Sequence, residues 1–154
     1  MGRAQIIIRA TMVTVRVLDW DSALPLARPV RFEVFVREQG VPVELEWDEF
    51  DASSDHAIAG DEGGTVVGTA RLVPAGAGEF RIGRMAVLAA HRGQGVGAAL
   101  LAAMLQRARE RGGRLVVLHA QLHAADFYRR FGFAPHGAQF EEAGIPHVEM
   151  RLAL

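Results

Sequence analysis

The chain has no cysteine, which excludes a disulfide framework, a thiol nucleophile and a cysteine-ligated zinc. It also lacks any apolar run near the roughly 18 residues that a membrane-spanning helix needs. The nearest thing to a leader is Ile6-Ile7-Ile8, but Arg9 cuts it and no small-residue cleavage site comes after. Met1-Gly2 finds Ile6 where a myristoylation signal needs Ser or Thr. The expected setting is therefore cytoplasmic. An excess of one charge is missing too. The formal balance is −1, which draws the chain neither to nucleic acid nor to an anionic membrane. No internal repeat, low-complexity tract or linker interrupts it. What remains is 154 residues, half of them hydrophobic, enough for one domain that buries about 70% of its unfolded surface. Met12 opens a cleaner strand pattern than Met1 does, so the domain is expected over 12–154, with 1–11 as an N-terminal extension.

Residues 12–18 alternate Val13, Val15 and Val17 with polar neighbours and predict a half-buried strand. Asp21 or Ser22 is suited to cap a helix after it. Pro25 and Pro29 restrict that helix, because proline suits a first turn and not a helix interior. The helix is therefore placed at about 29–39, with Phe32, Phe35 and Val36 inward and Gly40 as its stop. Residues 56–59, 65–73 and 79–88 read as strands joined by short turns, an antiparallel meander. A helix comes next over 95–111. Leu115-Val116-Val117-Leu118 is then apolar without alternation, the mark of a strand buried on both faces. A short helix near 122–131 and a last strand over 147–154 complete the pattern. The fold class is α/β, a single domain with a mixed, mostly antiparallel central sheet and helices on both faces. The open edges of such a sheet are where a homodimer contact would form.

The most informative stretch is Arg84-Met85-Ala86-Val87 running into His91-Arg92-Gly93-Gln94-Gly95-Val96-Gly97-Ala98. A short apolar run ends, glycines come at alternate positions, and a helical pattern starts without a break. Losing every second Cβ lets the backbone curl and bring its N–H groups close to a ligand. The first helical turn adds donors that have no acceptor within the helix, and the macrodipole makes that end positive. Arg92 adds a cation suited to phosphate. These features together predict a phosphate-binding nest over 93–98. A P-loop would need a lysine after the glycines, and none is there. A dinucleotide fingerprint fits Gly93, Gly95 and Ala98, but the strand end about 20 residues on offers no carboxylate for a ribose.

Arg92-x-x-Gly95-x-Gly97 matches in full the R-x-x-G-x-G of the GNAT acyltransferases, and the stretch resembles that family, its upstream strand included. Gln121-x-x-Ala124-x-x-x-Tyr128-x-x-x-Gly132-Phe133 is similar to the family's N-x-x-A-x-x-x-Y-x-x-x-G-F, with Gln121 where Asn is usual and Tyr128 the only tyrosine in the chain. Val34-Phe35-Val36-x-Glu38-Gln39-x-Val41-Pro42, then Glu46-x-Asp48-x-x-Asp51, and finally Gly144-Ile145-Pro146-His147 look like its ElaA-like bacterial branch. The resemblance implies an N-acetyltransferase that uses acetyl-CoA, with a primary amine of a small molecule or peptide as acceptor. It implies that main-chain groups of Met85, Ala86 and Val87 hold the pantetheine arm and that one N–H polarises the thioester carbonyl. It places Gln121 beside that arm and gives Tyr128 the protonation of the departing thiolate. The diphosphate would lie on Gly93, Gln94, Gly95, Val96, Gly97 and Ala98, assisted by Arg92. Two other readings stay open, an inactive acyl-CoA sensor of the same fold and a dinucleotide enzyme.

The pattern does not fix a general base. Some relatives hold a glutamate in about the register of Arg81, and arginine is no base at neutral pH. Glu46, Asp48, Glu142 and His147 are the candidates, with a water chain as the alternative. The acidic run over 41–55, around Trp47 and Phe50, fits no EF-hand loop. Most such runs are solvated loops, yet carboxylates at a cleft edge attract a cationic amine. Glu46, Asp48 and His147 are therefore carried as acceptor-binding residues. His119-x-x-x-His123 straddles a strand end and a helix start and lacks the glutamate of H-E-x-x-H. No metal site is expected, and the histidines read as ordinary polar residues.

Overall fold

The computed structural model of the chain describes residues 6–10 and 12–154. Eight strands form one sheet in the order β1-β2-β3-β4-β5-β6-β8-β7. They are β1 (Ile7–Ala10), β2 (Val13–Leu18), β3 (Asp55–Asp61), β4 (Val66–Pro74), β5 (Glu79–Val87), β6 (Leu115–Gln121), β7 (Ala134–Glu142) and β8 (Ile145–Ala153). Four helices accompany them: α1 (Trp20–Arg31), α2 (Val43–Glu46), α3 (Val96–Glu110) and α4 (Ala125–Arg129). Strand alternation decides which helix covers which face. Ala57 and Ala59 of β3 join the core under α3, with Val15, Leu72, Leu100 and Met104. Ile58 between them points the other way, onto Ala23 and Ala27 of α1. The mixed sheet with helices on both faces is as the sequence predicts. Among the described residues, no helix is long and apolar enough to cross a membrane.

Two features of the sheet make a gap. β5 and β6, the parallel pair, match only from Glu79↔Leu115 to Ile82↔Leu118. Past that point the strands part. On its other side β5 pairs Gly83 with Arg71 and then Ala86 with Thr69, so Arg84 and Met85 together oppose Ala70. This is a β-bulge, and Arg84 takes a φ of 49° within it, a left-handed conformation rare for a side-chain-bearing residue. The bulge bends the end of β5 away from β6 and turns Met85 towards the α3 face.

Several expectations are corrected. α1 starts well before the predicted helix, at Trp20, with Asp19 rather than Asp21 or Ser22 as its cap. Asp19 Oδ1 accepts the Ser22 N–H at 3.0 Å. Pro25 and Pro29 lie inside this helix, one turn apart on its exposed side. The carbonyls they leave unbonded therefore face water, which removes most of the penalty. Beyond Arg31 the helix widens into a π-helical turn over Phe32–Glu38. That wider turn buries Val34 and leaves Phe32 40% exposed, against the inward placing of Phe32. Gly40 ends it at φ 71° as expected. In the segment expected as an extension, Ile7–Ala10 pairs with β2 as an edge strand and Ile6 packs into the core. Residues 1–5 and 11 lie outside the described residues. β7 is a strand that the pattern missed. Pro135 and Gly137 break its periodicity, and as an edge strand it tolerates them.

The acidic run is the largest correction, because it is not a solvated loop. Glu46 and Asp51 fold back onto Arg31, a guanidinium only 1% exposed. Arg31 Nε donates to Glu46 Oε1 at 2.6 Å and its Nη1 to Asp51 Oδ1 at 2.8 Å. The Trp20 and Trp47 rings lie 5.6 and 4.9 Å from it. Arg71 joins from β4, donating to Asp48 Oδ1 at 2.6 Å and to Asp51 Oδ1 at 3.1 Å. Burial would raise the Asp51 carboxyl, but Arg31 and Arg71 outweigh it and hold it below its ordinary value. Glu46 goes up instead, because burial outweighs the pull of Arg31 and Asp51 repels it.

Candidate active site

The nest has the predicted backbone. Gly93 and Gly95 sit at φ 74° and 83°, and a Cβ built on either meets nothing within 4 Å. Gly95 caps α3 with no side-chain hydrogen bond to its first turn. The N–H groups of Val96, Gly97 and Ala98 have no acceptor inside the helix. Open space over free amide donors at a positive helix end fits a diphosphate.

Arg92 beside it is already bonded. Its Nε donates to the Val87 carbonyl at 3.0 Å and its Nη2 to Glu38 Oε2 at 2.8 Å. It ties the end of the π-helical turn to the end of β5 and fixes where the nest sits. The expected phosphate cation is thus engaged as a brace. Gln121 is also engaged. It and Gln39 exchange amide hydrogen bonds at 3.0 and 3.4 Å across the end of β6.

Tyr128, on α4, crosses the gap from the other side. Its hydroxyl donates to Met85 Sδ at 3.7 Å, a weak contact. Its ring makes edge contacts with Phe127 and Phe133, 5.1 and 6.0 Å between centroids. Burial pushes the phenol up to about 12, so at neutral pH it is a proton-bearing donor. Met85 and Tyr128 pack on the α3 side of the sheet, whereas Ala86 packs with Val30 and Val34 of the α1 side. Where β5 and β6 stop pairing, the gap between them is thus flanked on both faces of the sheet. One mouth faces the glycine nest and Tyr128, and the other faces Gln39, Gln121 and Arg84. Between them run the β5 main-chain groups of residues 83–87, which β6 leaves unpaired.

On the α1 side the acceptor candidates separate into two groups. Asp48 Oδ2 receives Arg84 Nη2 at 3.0 Å while its Oδ1 holds Arg71, and Glu46 is bound to Arg31. Both carboxylates are spent on arginines, and neither projects free into the cleft. Across the gap β6, β8 and β7 bring His119, His147 and Glu142 together. His119 Nδ1 lies 3.2 Å from Glu142 Oε1, and His147 Nε2 lies 3.6 Å from Glu142 Oε2. The hydrogen bond between His119 and Glu142 raises the imidazole and lowers the carboxyl from their ordinary values. Sequence spacing makes His119 an ordinary polar residue, and the structure gives it this pairing instead. Its partner Glu142 lies 23 residues later, beyond any local spacing rule. The bulge puts its positive φ on Arg84 and not on the neighbouring Gly83, so the glycine does not mark it. Among the described residues, no group of His, Asp and Glu is arranged to hold a metal ion.

Comparison with known proteins gives consistent results. A family model described as an acetyltransferase (GNAT) domain matches residues 23–154. The chain is 39% identical over 129 residues to a Bacillus subtilis (strain 168) protein named uncharacterized N-acetyltransferase YjcF, covering 79% of this chain and 86% of that one. The crystal structure of Escherichia coli ElaA superposes with a TM-score of 0.81 at 30% identity, covering 91% of this chain and 99% of ElaA. An acyl-CoA N-acyltransferase from Pseudomonas aeruginosa does so with a TM-score of 0.80 at 32% identity, covering 90% and 98%.

Proposed function

The chain belongs to the acetyltransferase (GNAT) family, and from that premise we propose that it transfers an acetyl group from acetyl-CoA to a primary amine. The observation that carries this reading is the gap between β5 and β6. Around it stand a helix end with no side-chain cap, the β5 main chain that β6 leaves unpaired and a buried tyrosine hydroxyl. The amides of Gly93 to Ala98 would hold the diphosphate. Main-chain groups of Met85, Ala86 and Val87 on the β6 side would hold the pantetheine arm, one N–H polarising the thioester carbonyl. Bound there, acetyl-CoA supplies an activated acetyl thioester. With no thiol in the chain, the amine attacks that carbonyl directly from the α1-side mouth. Tyr128 then offers its O–H to the sulfur as negative charge grows on it.

Thiol release measured with acetyl-CoA and a panel of primary amines tests the proposal, alongside calorimetry with coenzyme A. The chain has no lysine of its own, so side-chain self-acetylation adds no background. Heat of binding with amine-dependent release supports the transferase. Heat or thermal stabilisation without release would mark a binding module instead. No heat at all would remove the donor.

A further inference from the structure

β5 offers no base to the acceptor. The side chains it presents near the α1-side mouth are those of Arg81 and Arg84, and the acidic rim residues Glu46 and Asp48 are bound to arginines. The imidazole of His147 is different. It sits on β8 in register with Gln121, the residue that closes this mouth with Gln39. Its Nδ1 is 2.6 Å from the Ile145 carbonyl. A carbonyl only accepts, so Nδ1 carries a proton, and in the neutral ring Nε2 is then the nitrogen with the lone pair. That lone pair faces Glu142 Oε2 at 3.6 Å, beyond a hydrogen bond. In the neutral ring two proton acceptors confront each other here, and a proton taken up by Nε2 turns the contact into an ion pair. The residue is only 6% exposed and its ring stacks on Phe140 at 5.9 Å, which fixes its direction. His119 steadies Glu142 from the far side through Nδ1.

Resting on the transferase reading above, we propose that His147 Nε2 is the base that takes a proton from the acceptor's ammonium group, and that Glu142 receives that ammonium and stabilises the imidazolium formed. The acceptor class is then a basic primary amine, protonated in neutral solution, rather than a weakly basic one that arrives neutral. The ammonium gives one proton to Nε2, and its freed lone pair forms the C–N bond. The C–S bond breaks with its electron pair on sulfur, and the second nitrogen proton leaves to water. His119 is a positioning residue in this scheme. The charged groups around the base are Glu142 on β7, His119 on β6 and Glu149 on β8. Arg84 and Arg81 on β5 act on Glu142 and His119 respectively.

The test combines ring-nitrogen NMR of the full chain with the pH dependence of kcat/KM for the best amine of the panel. In its neutral form His147 should show the Nδ1–H tautomer. His147→Gln should lower kcat/KM by about 10²- to 10³-fold at pH 7. The deficit should shrink as pH approaches the amine's own pKa, with coenzyme A affinity held within about twofold by calorimetry. Glu142 is exposed, so Glu142→Gln keeps the fold. It should move the acidic limb of kcat/KM to lower pH. An Nε2–H tautomer overturns the proposal whatever the activity. Equal kcat/KM profiles for wild type, His147→Gln and Glu142→Gln overturn it while leaving the transferase standing. Coenzyme A binding with no amine turned over overturns both.

Discussion

Tyr128→Phe removes one oxygen and keeps a ring packed against Phe127 and Phe133, so its effect isolates the hydroxyl. The structure limits what that hydroxyl can do. Burial pushes the phenol up to about 12, whereas a free thiol ionises near pH ~8.5. Handing the proton completely to a departing thiolate is uphill by roughly 3.5 units, or about 5 kcal/mol at about 1.36 kcal/mol per unit. A sulfur leaving in the same buried place is raised too, so this figure is the upper bound on the cost of the outright protonation that the resemblance implies. A hydrogen bond to the growing charge is worth roughly 1.5–3 kcal/mol. Turnover of Tyr128→Phe should accordingly fall by about 10- to 150-fold. The apparent KM for acetyl-CoA should hold, and melting should barely move, because the lost partner is a thioether 3.7 Å away. Steady-state thiol release from about pH 6 to 11 is the assay. Wild type should show no alkaline limb attributable to the phenol below about pH 11, given its raised value. A loss beyond about 10⁴-fold, or a tyrosine limb near about pH 9, would refute the reasoning from burial. Unchanged turnover would take Tyr128 out of the mechanism.

Other substitutions separate stability from function. Gly97→Ala places a methyl 3.6 Å from the Phe127 ring, an ordinary contact. Within α3 it should stabilise the fold by about 0.5–1 kcal/mol, while calorimetry shows weaker coenzyme A binding from crowding at the nest. Arg31→Ala leaves Glu46 and Asp51 buried without their shared cation and should cost about 3–5 kcal/mol in urea unfolding. The Asp51 carboxyl, held down by Arg31 and Arg71, gives stability that is full above its unfolded value near pH ~3.9 and lost as pH falls below it. Acid unfolding below about pH 4 should thus be shallower in Asp51→Asn than in wild type. The His119–Glu142 pair has the opposite limit on its alkaline side. Glu142 is lowered, so its share is present above about pH 4.3. His119 is raised, so its share is full below about pH 6.5 and lost as pH rises through its folded value. The melting difference between wild type and His119→Gln should be greatest between these limits and shrink by about pH 9.

Periodicity and turn chemistry are local, and the elements they govern are readable from the chain alone. The alternation of Val13, Val15 and Val17, the glycine nest, the stripe of α3 and the apolar run of β6 each announce an element that is present. What stays hidden depends on partners distant in sequence or on which way a residue faces. Pro25 and Pro29 look like helix breakers until their solvent-facing side is known. The acidic run looks solvated until Arg31, Arg71 and Arg84 are brought to it from α1, β4 and β5. Arg92 looks like a phosphate ligand until Glu38, 54 residues earlier, is folded beside it. Tyr128 and the nest can be placed by spacing, but the His147–Glu142 juxtaposition needs β7, which Pro135 and Gly137 disguise.

The short pairing of β5 with β6 has a mechanical consequence. Five strands lie on one side of that join and three on the other, and four residue pairs carry the whole seam. A slender molecule threaded into the wedge would act as a splint, supplying main-chain bonds on the facing edges that β5 and β6 leave open. Those amide protons of residues 83–87 and 119–121 that β4 and β8 do not bind should then exchange with solvent quickly in the empty protein and slow down when the wedge is occupied.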